Sequence, residues 1–205
     1  MSRTLLLGCA SICALAISSP AFAQSSVSLP VIDVTSQGDG SLVSPNTETA
    51  RRAIEQTPGG VEVIPDTAFK NTQAQTIKDV VDWTPGVFAQ PKWGDDTRLS
   101  IRGSGLSRNY HLRGVQLYLD GIPINTADGF GDFQEIDPSA YKYVEVFKGA
   151  NALRYGANSL GGAINFVTPT GRDARPLDAR LDAGSFGYLR SQASAGGVRG
   201  RSIFS

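Results

Sequence analysis

The sequence predicts an α+β domain, a small mixed β-sheet with short helices, and three observations carry that prediction. Val144 to Thr168 reads VEVFKGANALRYGANSLGGAINFVT, where an alternating segment and a glycine-entered apolar run frame a short helical stretch. Asp120-Gly121 sits between two apolar runs as a two-residue hairpin signal. Ala74 to Trp83 places Ile77, Val80 and Val81 on one helical face, stopped by Pro85-Gly86.

Met1 to Ala23 has a basic residue, Arg3, then the apolar run Leu5 to Ile17, then Ala21-Phe22-Ala23, the pattern of a cleaved secretory signal. The run is short for a hydrocarbon core about 30 Å thick. Both cysteines, Cys9 and Cys13, lie inside it, and His111 is the one histidine. A disulfide frame or structural zinc site is therefore not expected in the mature chain. Lys plus Arg equals Asp plus Glu at 19 each, so net charge gives no reason to expect nucleic acid as a partner. No later stretch reaches the roughly 18 apolar residues of a membrane helix, so any membrane contact of the mature chain must be through β-strands.

Residues 24–46 are rich in Ser, Gly, Pro, Asp and Thr, a composition expected to stay mobile. Within them Leu29-Pro30-Val31-Ile32-Asp33-Val34-Thr35 is a β-prone island, suited to adding a strand to another protein's sheet edge. Thr47 to Gln56 predicts a short helix capped by Asn46 or Thr47 and stopped at Pro58-Gly59-Gly60. Val61 to Pro65, Val87 to Ala89, Arg98 to Arg102, Val115 to Leu119 and Ile122 to Ile124 predict strands. Three loops intervene: Gln90 to Thr97 with Lys92 and Trp93, Ser104 to Leu112 with Arg108, Tyr110 and His111, and Asn125 to Phe133 with Phe130. Asp137 is expected to cap a helix at Pro138 to Tyr141. From Ala179 apolar or small residues fall on odd positions (Leu181, Ala183, Leu189, Ala193, Ala195) and polar ones on even positions (Arg180, Asp182, Arg190, Gln192). That predicts one long strand with a greasy and a wet face, its alternation imperfect around Gly184 to Tyr188.

Sites for enzyme chemistry are not found. Gly103-x-Gly105 lacks the third glycine of a dinucleotide loop, since Arg108 stands there and no helix pattern follows. Asp95-Asp96 and the pair Asp128 and Asp132 lack the spacing of a calcium loop and read as solvated turns. No Ser-His-Asp grouping forms around a single histidine.

Four motifs in order resemble the plug domain of TonB-dependent outer-membrane receptors: Thr84-Pro85-Gly86-Val87, Ile101-Arg102-Gly103, Tyr118-Leu119-Asp120-Gly121-Ile122-Pro123, and the segment from Val144-Glu145 through Lys148-Gly149 and Tyr155-Gly156 to Gly161–Val167. The resemblance runs from about Leu29 to about Ala195. It implies a signal peptide at 1–23, a flexible segment with a TonB box at 24–46, a plug domain at 47–170 and, at 171–205, the first strand of a truncated transmembrane β-barrel. On it, Val31, Ile32, Asp33, Val34 and Thr35 form the box offered to TonB. Arg102 and Lys148 stand where basic residues latch the plug to carboxylates of the barrel wall, with Lys148 in place of the more usual Arg and so without its planar fork. The three loops correspond to apices that meet the ligand, which nominates Lys92, Trp93, Arg108, Tyr110, His111 and Phe130.

The implied function is energy-coupled uptake of a bulky ligand, a ferric siderophore first. Heme, cobalamin, copper chelates and saccharides are the other classes handled by such receptors. The implied protein is not an enzyme, carries no cofactor or bound metal of its own, and reaches the outer membrane after export. The chain is expected to be an amino-terminal fragment or truncated product that does not transport alone. The alternative is a soluble exported binding or adaptor domain without a barrel.

Overall fold

The computed structural model describes residues 45–106, 112–199 and 202–204. A five-stranded sheet runs in the order β1 (Val61–Pro65), β6 (Tyr143–Lys148), β7 (Gly162–Val167), β4 (Val115–Leu119), β5 (Ile122–Pro123). Only β4 and β7 are parallel; the other neighbours are antiparallel, so the sheet is mixed as expected. The chain returns from β6 to β7 through a 3₁₀ helix, Gly149–Tyr155, a tighter form than the helical turns the sequence predicts.

Both faces of the central strands are covered. The alternation of Val144 to Phe147 is the pattern of a half-buried strand, yet β6, like β7, is buried almost throughout. On one face Val144, Val146, Ile164, Phe166, Val115 and Leu117 form the main core with Phe69, Ile77, Val81, Leu99 and Ile101. These last come from α2 (Asp66–Lys70), α3 (Ile77–Val81) and β3 (Thr97–Ile101), which pairs with β2 (Val87–Pro91) as an antiparallel hairpin. The other face carries Phe147, Ala163 and Tyr118 under Ala152 and Tyr155 of the 3₁₀ helix. At its edge, Ala50 of α1 (Thr47–Glu55) lies against Tyr143 and Val167.

Local chemistry sets the ends of these elements. Asn46 caps α1 by accepting from the Thr49 amide at 2.7 Å. α3 starts later than Ala74 because Thr76 and Asp79 close a capping box, with the Asp79 carboxylate accepting from the Thr76 amide at 3.0 Å. The helix α2 has no counterpart in the sequence reading, since five residues are too few to show a period. Asp137 caps the 3₁₀ turn Pro138–Ala140 as expected, accepting from the Ser139 amide at 3.0 Å.

Residues beyond the sheet form a hairpin rather than one long strand. β8 (Asp178–Ala183) and β9 (Leu189–Ser194) pair antiparallel, Ala183 opposite Leu189 and Leu181 opposite Ser191. The break in alternation at Gly184 to Tyr188 is the turn itself, with Phe186 at φ 58° and Gly187 at φ 77°. Because odd residues pair with odd, the greasy face survives the reversal. Leu181 and Leu189 are each 70% exposed, while the even residues Arg180, Asp182, Arg190 and Gln192 are less exposed. Arg180 donates to the Lys70 and Thr72 carbonyls at the end of α2, and Arg190 to Asp137 and Ser139. A last pair, β10 (Gly197–Arg199) and β11 (Ser202–Phe204), follows. Among the described residues no helix is long and apolar enough to cross a membrane.

Candidate functional site

Two loops fold into the walls of a cavity of about 540 Å³. The tip of the β2–β3 hairpin is closed by Lys92, whose amide donates to the Asp96 carbonyl at 2.9 Å and whose Nζ lies 3.1 Å from the Asp96 carboxylate. This holds Trp93 outward, 78% exposed, at the rim. The second wall is a turn in which the Thr126 amide donates to the Phe130 carbonyl at 2.9 Å, and Asp128 accepts from the Phe130 amide at 3.3 Å. Leu112 ties this turn to the sheet by donating to the Gly129 carbonyl at 2.9 Å.

Lys92, Trp93 and Phe130, three of the nominated ligand residues, line this one cavity. Arg108, Tyr110 and His111 lie outside the described residues. Thr97, Arg98, Asp132 and Phe133 also line it, and the sequence reading missed them. Thr97 is 1% exposed, and among the described residues its hydroxyl has no hydrogen-bond partner. The cavity combines flat aromatic faces with cations and acids of its walls. That mixture suits a bulky ligand bearing rings and polar groups. The alternation in Thr97 to Ile101 was the available signal, since it puts Thr97 and Leu99 on the same side.

The two nominated latch residues meet at the far end of β6. Arg102 leaves β3 with φ 52°, a left-handed conformation unusual for a non-glycine residue, and its amide donates to the Gly86 carbonyl at 2.8 Å. Its exposed guanidinium lies over two bare backbones: a Cβ on Gly60 would stand 2.7 Å from Nη2 and one on Gly149 2.5 Å from Nη1. Lys148 is 8% exposed and points inward, donating to the Glu62 carboxylate at 2.9 Å and the Pro85 carbonyl at 2.8 Å. Within this chain Glu62 balances the charge of Lys148.

A polar line crosses the second sheet face. Asp120 (φ 50°) and Gly121 (φ 82°) turn between β4 and β5, and the Asp120 carboxylate accepts from the Thr168 amide at 2.9 Å. Asn165 accepts from the Gly121 amide at 2.9 Å and donates to the half-buried Glu145 carboxylate at 2.9 Å. Loss of water raises the Glu145 pKa above its ordinary value, against the lowering effects of Asn165, Arg154 and Tyr155. A folded-state pKa above the unfolded one means the native state holds the proton more tightly. Its stabilising effect is present at low pH and lost as pH rises through the folded value. Glu145→Gln, which keeps Asn165 bonded, is expected to flatten this loss as pH rises above 4.5 in urea titrations.

Residues 53–163 match the TonB-dependent receptor plug domain family. The chain belongs to that family. Over 190 residues the plug chain is 27% identical to the ferric-pyoverdine M114 receptor of Pseudomonas sp. strain M114, covering 88% of this chain and 22% of that protein. Over 123 residues it is 30% identical to the vitamin B12 transporter of Vibrio vulnificus strain CMCP6, covering 60% of this chain and 20% of the other. Among solved structures, the outer-membrane ferripyoverdine receptor of Pseudomonas aeruginosa bound to ferripyoverdine superposes with a TM-score of 0.54 at 27% identity, over 78% of this chain and 21% of that one. The plug chain thus spans about a fifth of the length of the relatives it matches. The nominated TonB box, Val31 to Thr35, lies outside the described residues. Among those described, no group of His, Cys, Asp and Glu is placed to hold a metal ion.

Proposed function

We propose that this chain is the plug of an outer-membrane receptor that takes up a bulky ligand, a ferric siderophore first, with work supplied through TonB. The observation that carries the reading is the cavity itself: two loops named for ligand contact close on one space, with Trp93 and Phe130 at its walls. Relatives named for ferric-pyoverdine and vitamin B12 set the range of ligands, and both are large. Val31 to Thr35 would add a strand to TonB, and Arg102, with its exposed guanidinium, would hold the plug to the barrel wall, whereas Lys148 is turned inward onto Glu62. In that setting the wet face of the β8–β9 hairpin looks to the plug and its greasy face to lipid. The adaptor alternative draws no support, because a water-soluble domain would have to cover Leu181 and Leu189. No catalytic step, cofactor or nucleic-acid contact enters this mechanism.

The test uses a receptor containing this plug and ferripyoverdine as probe. Alanine at Trp93, Arg108, Tyr110 and Phe130 together is expected to weaken binding at least about a hundredfold, three aromatic faces and a cation being lost at once. Native affinity in the fourfold variant would remove these loops from the site.

A further inference from the structure

Lys142 has no role in anything described above, yet four separate segments meet on it. Its amide donates to the Val167 carbonyl at 2.8 Å, and its carbonyl accepts from the Asp66 amide at 3.1 Å, which ties the end of β7 to the start of α2. Its ammonium donates to the Pro45 carbonyl at 2.9 Å and to the Asp173 carboxylate at 2.8 Å. Pro45 lies just before α1, and Asp173 lies on the linker from β7 to the β8–β9 hairpin. The ion pair is nearly dry, its side chains 10% and 9% exposed, and Thr170 braces Asp173 with a hydroxyl bond of 2.8 Å. Tyr143 adds its hydroxyl to Pro45 at 3.3 Å.

Beyond the clasp, the segment after Pro45 is held mainly at its far end, by the β1–β6 ladder, by Glu62 on Lys148 and by Ile64 in the core. A nine-residue helix is marginal on its own, and α1 buries only Ala50 fully. β1 is an edge strand that pairs with β6 alone. We infer that Lys142 is a clasp joining the tether to the exit linker, so that α1 and β1 leave the sheet only after its ammonium releases Pro45 or Asp173. A pull arriving before Pro45 then loads Lys142 and Tyr143 at the start of β6, together with the linker at Asp173, and spares α1 and β1 until the clasp opens. The inference rests on the proposed function only in taking the amino-terminal segment as the handle that is pulled.

Amide hydrogen exchange of the whole chain in detergent reads the clasp directly. In Lys142→Met, amides of residues 47–55 and 61–65 are expected to exchange about tenfold faster or more, with the centres of β6 and β7 unchanged, as for a local opening. Asp173→Asn, which leaves Lys142 on Pro45, is expected to give a smaller acceleration in the same residues, and it decides the matter if Lys142→Met does not fold. Native exchange in residues 47–65, or equal acceleration in β6 and β7, would overturn the clasp. Failure of TonB to bind the chain would remove the handle and leave this result standing, so the two readings fail separately.

Discussion

Gly162→Val is expected to leave the chain unable to complete its sheet. A Cβ at Gly162 would stand 2.6 Å from the Phe147 carbonyl oxygen, 2.6 Å from Ile101 Cδ1 and 2.9 Å from Ile101 Cγ2. The carbonyl belongs to the neighbouring strand and cannot rotate aside without undoing the β6–β7 register, in which Lys148 faces Gly162. Ile101 is fully buried and has no space to retreat into. Overpacking of this kind reaches about 3 kcal/mol or more, a large share of the roughly 5–15 kcal/mol that holds a domain folded. Denaturant titration should show either no cooperative transition or a strongly lowered midpoint. A midpoint within error of the native chain would mean that β7 is entered differently.

Phe166→Ala carries the second large effect. The ring is 0% exposed in the middle of β7, within the main core, and lies 4.9 Å from the Tyr141 ring at a tilt of 36°. Its neighbours on that face, Ile164 and Val144, are rigid β-strand residues that relax little into a void. The expected loss is about 3–5 kcal/mol, measured as a lower urea midpoint at unchanged slope. A loss below about 1 kcal/mol would mean that the face collapses around the gap, as a poorly packed core does.

The parts of this structure that could be read in advance are those fixed by local chemistry. Asp120-Gly121 forms the β4–β5 turn because those two residues tolerate positive φ, and Asn46 and Asp137 cap the elements that follow them. The helix at Ile77 follows from its apolar spacing, though its first turn was misplaced until the Thr76 and Asp79 box is counted. What was not legible depends on distant partners. β6 alternates like a half-exposed strand, yet α1 and the 3₁₀ helix cover its second face. Lys148 resembles an outward latch in sequence, and its Nζ bonds with Glu62 and Pro85 exist only once three segments meet. Lys142 carries no local pattern at all. In the cavity, aromatic and cationic loop residues could be nominated by type, whereas Thr97 offered only its place in the alternation of β3.

The strand order has a consequence for how the domain is made. Glu62 and Lys148, which close the β1–β6 seam, are 86 positions apart, and β7 must slot between β6 and β4 before the sheet is whole. A ribosome or export channel that delivers the chain from its amino end releases β1 long before its only neighbour. Until then Val61–Pro65 is a bare template open to foreign strands, and closing so long a loop is slow. Assembly must therefore wait for residue 167, which favours a helper that keeps the early half apart until the late half arrives.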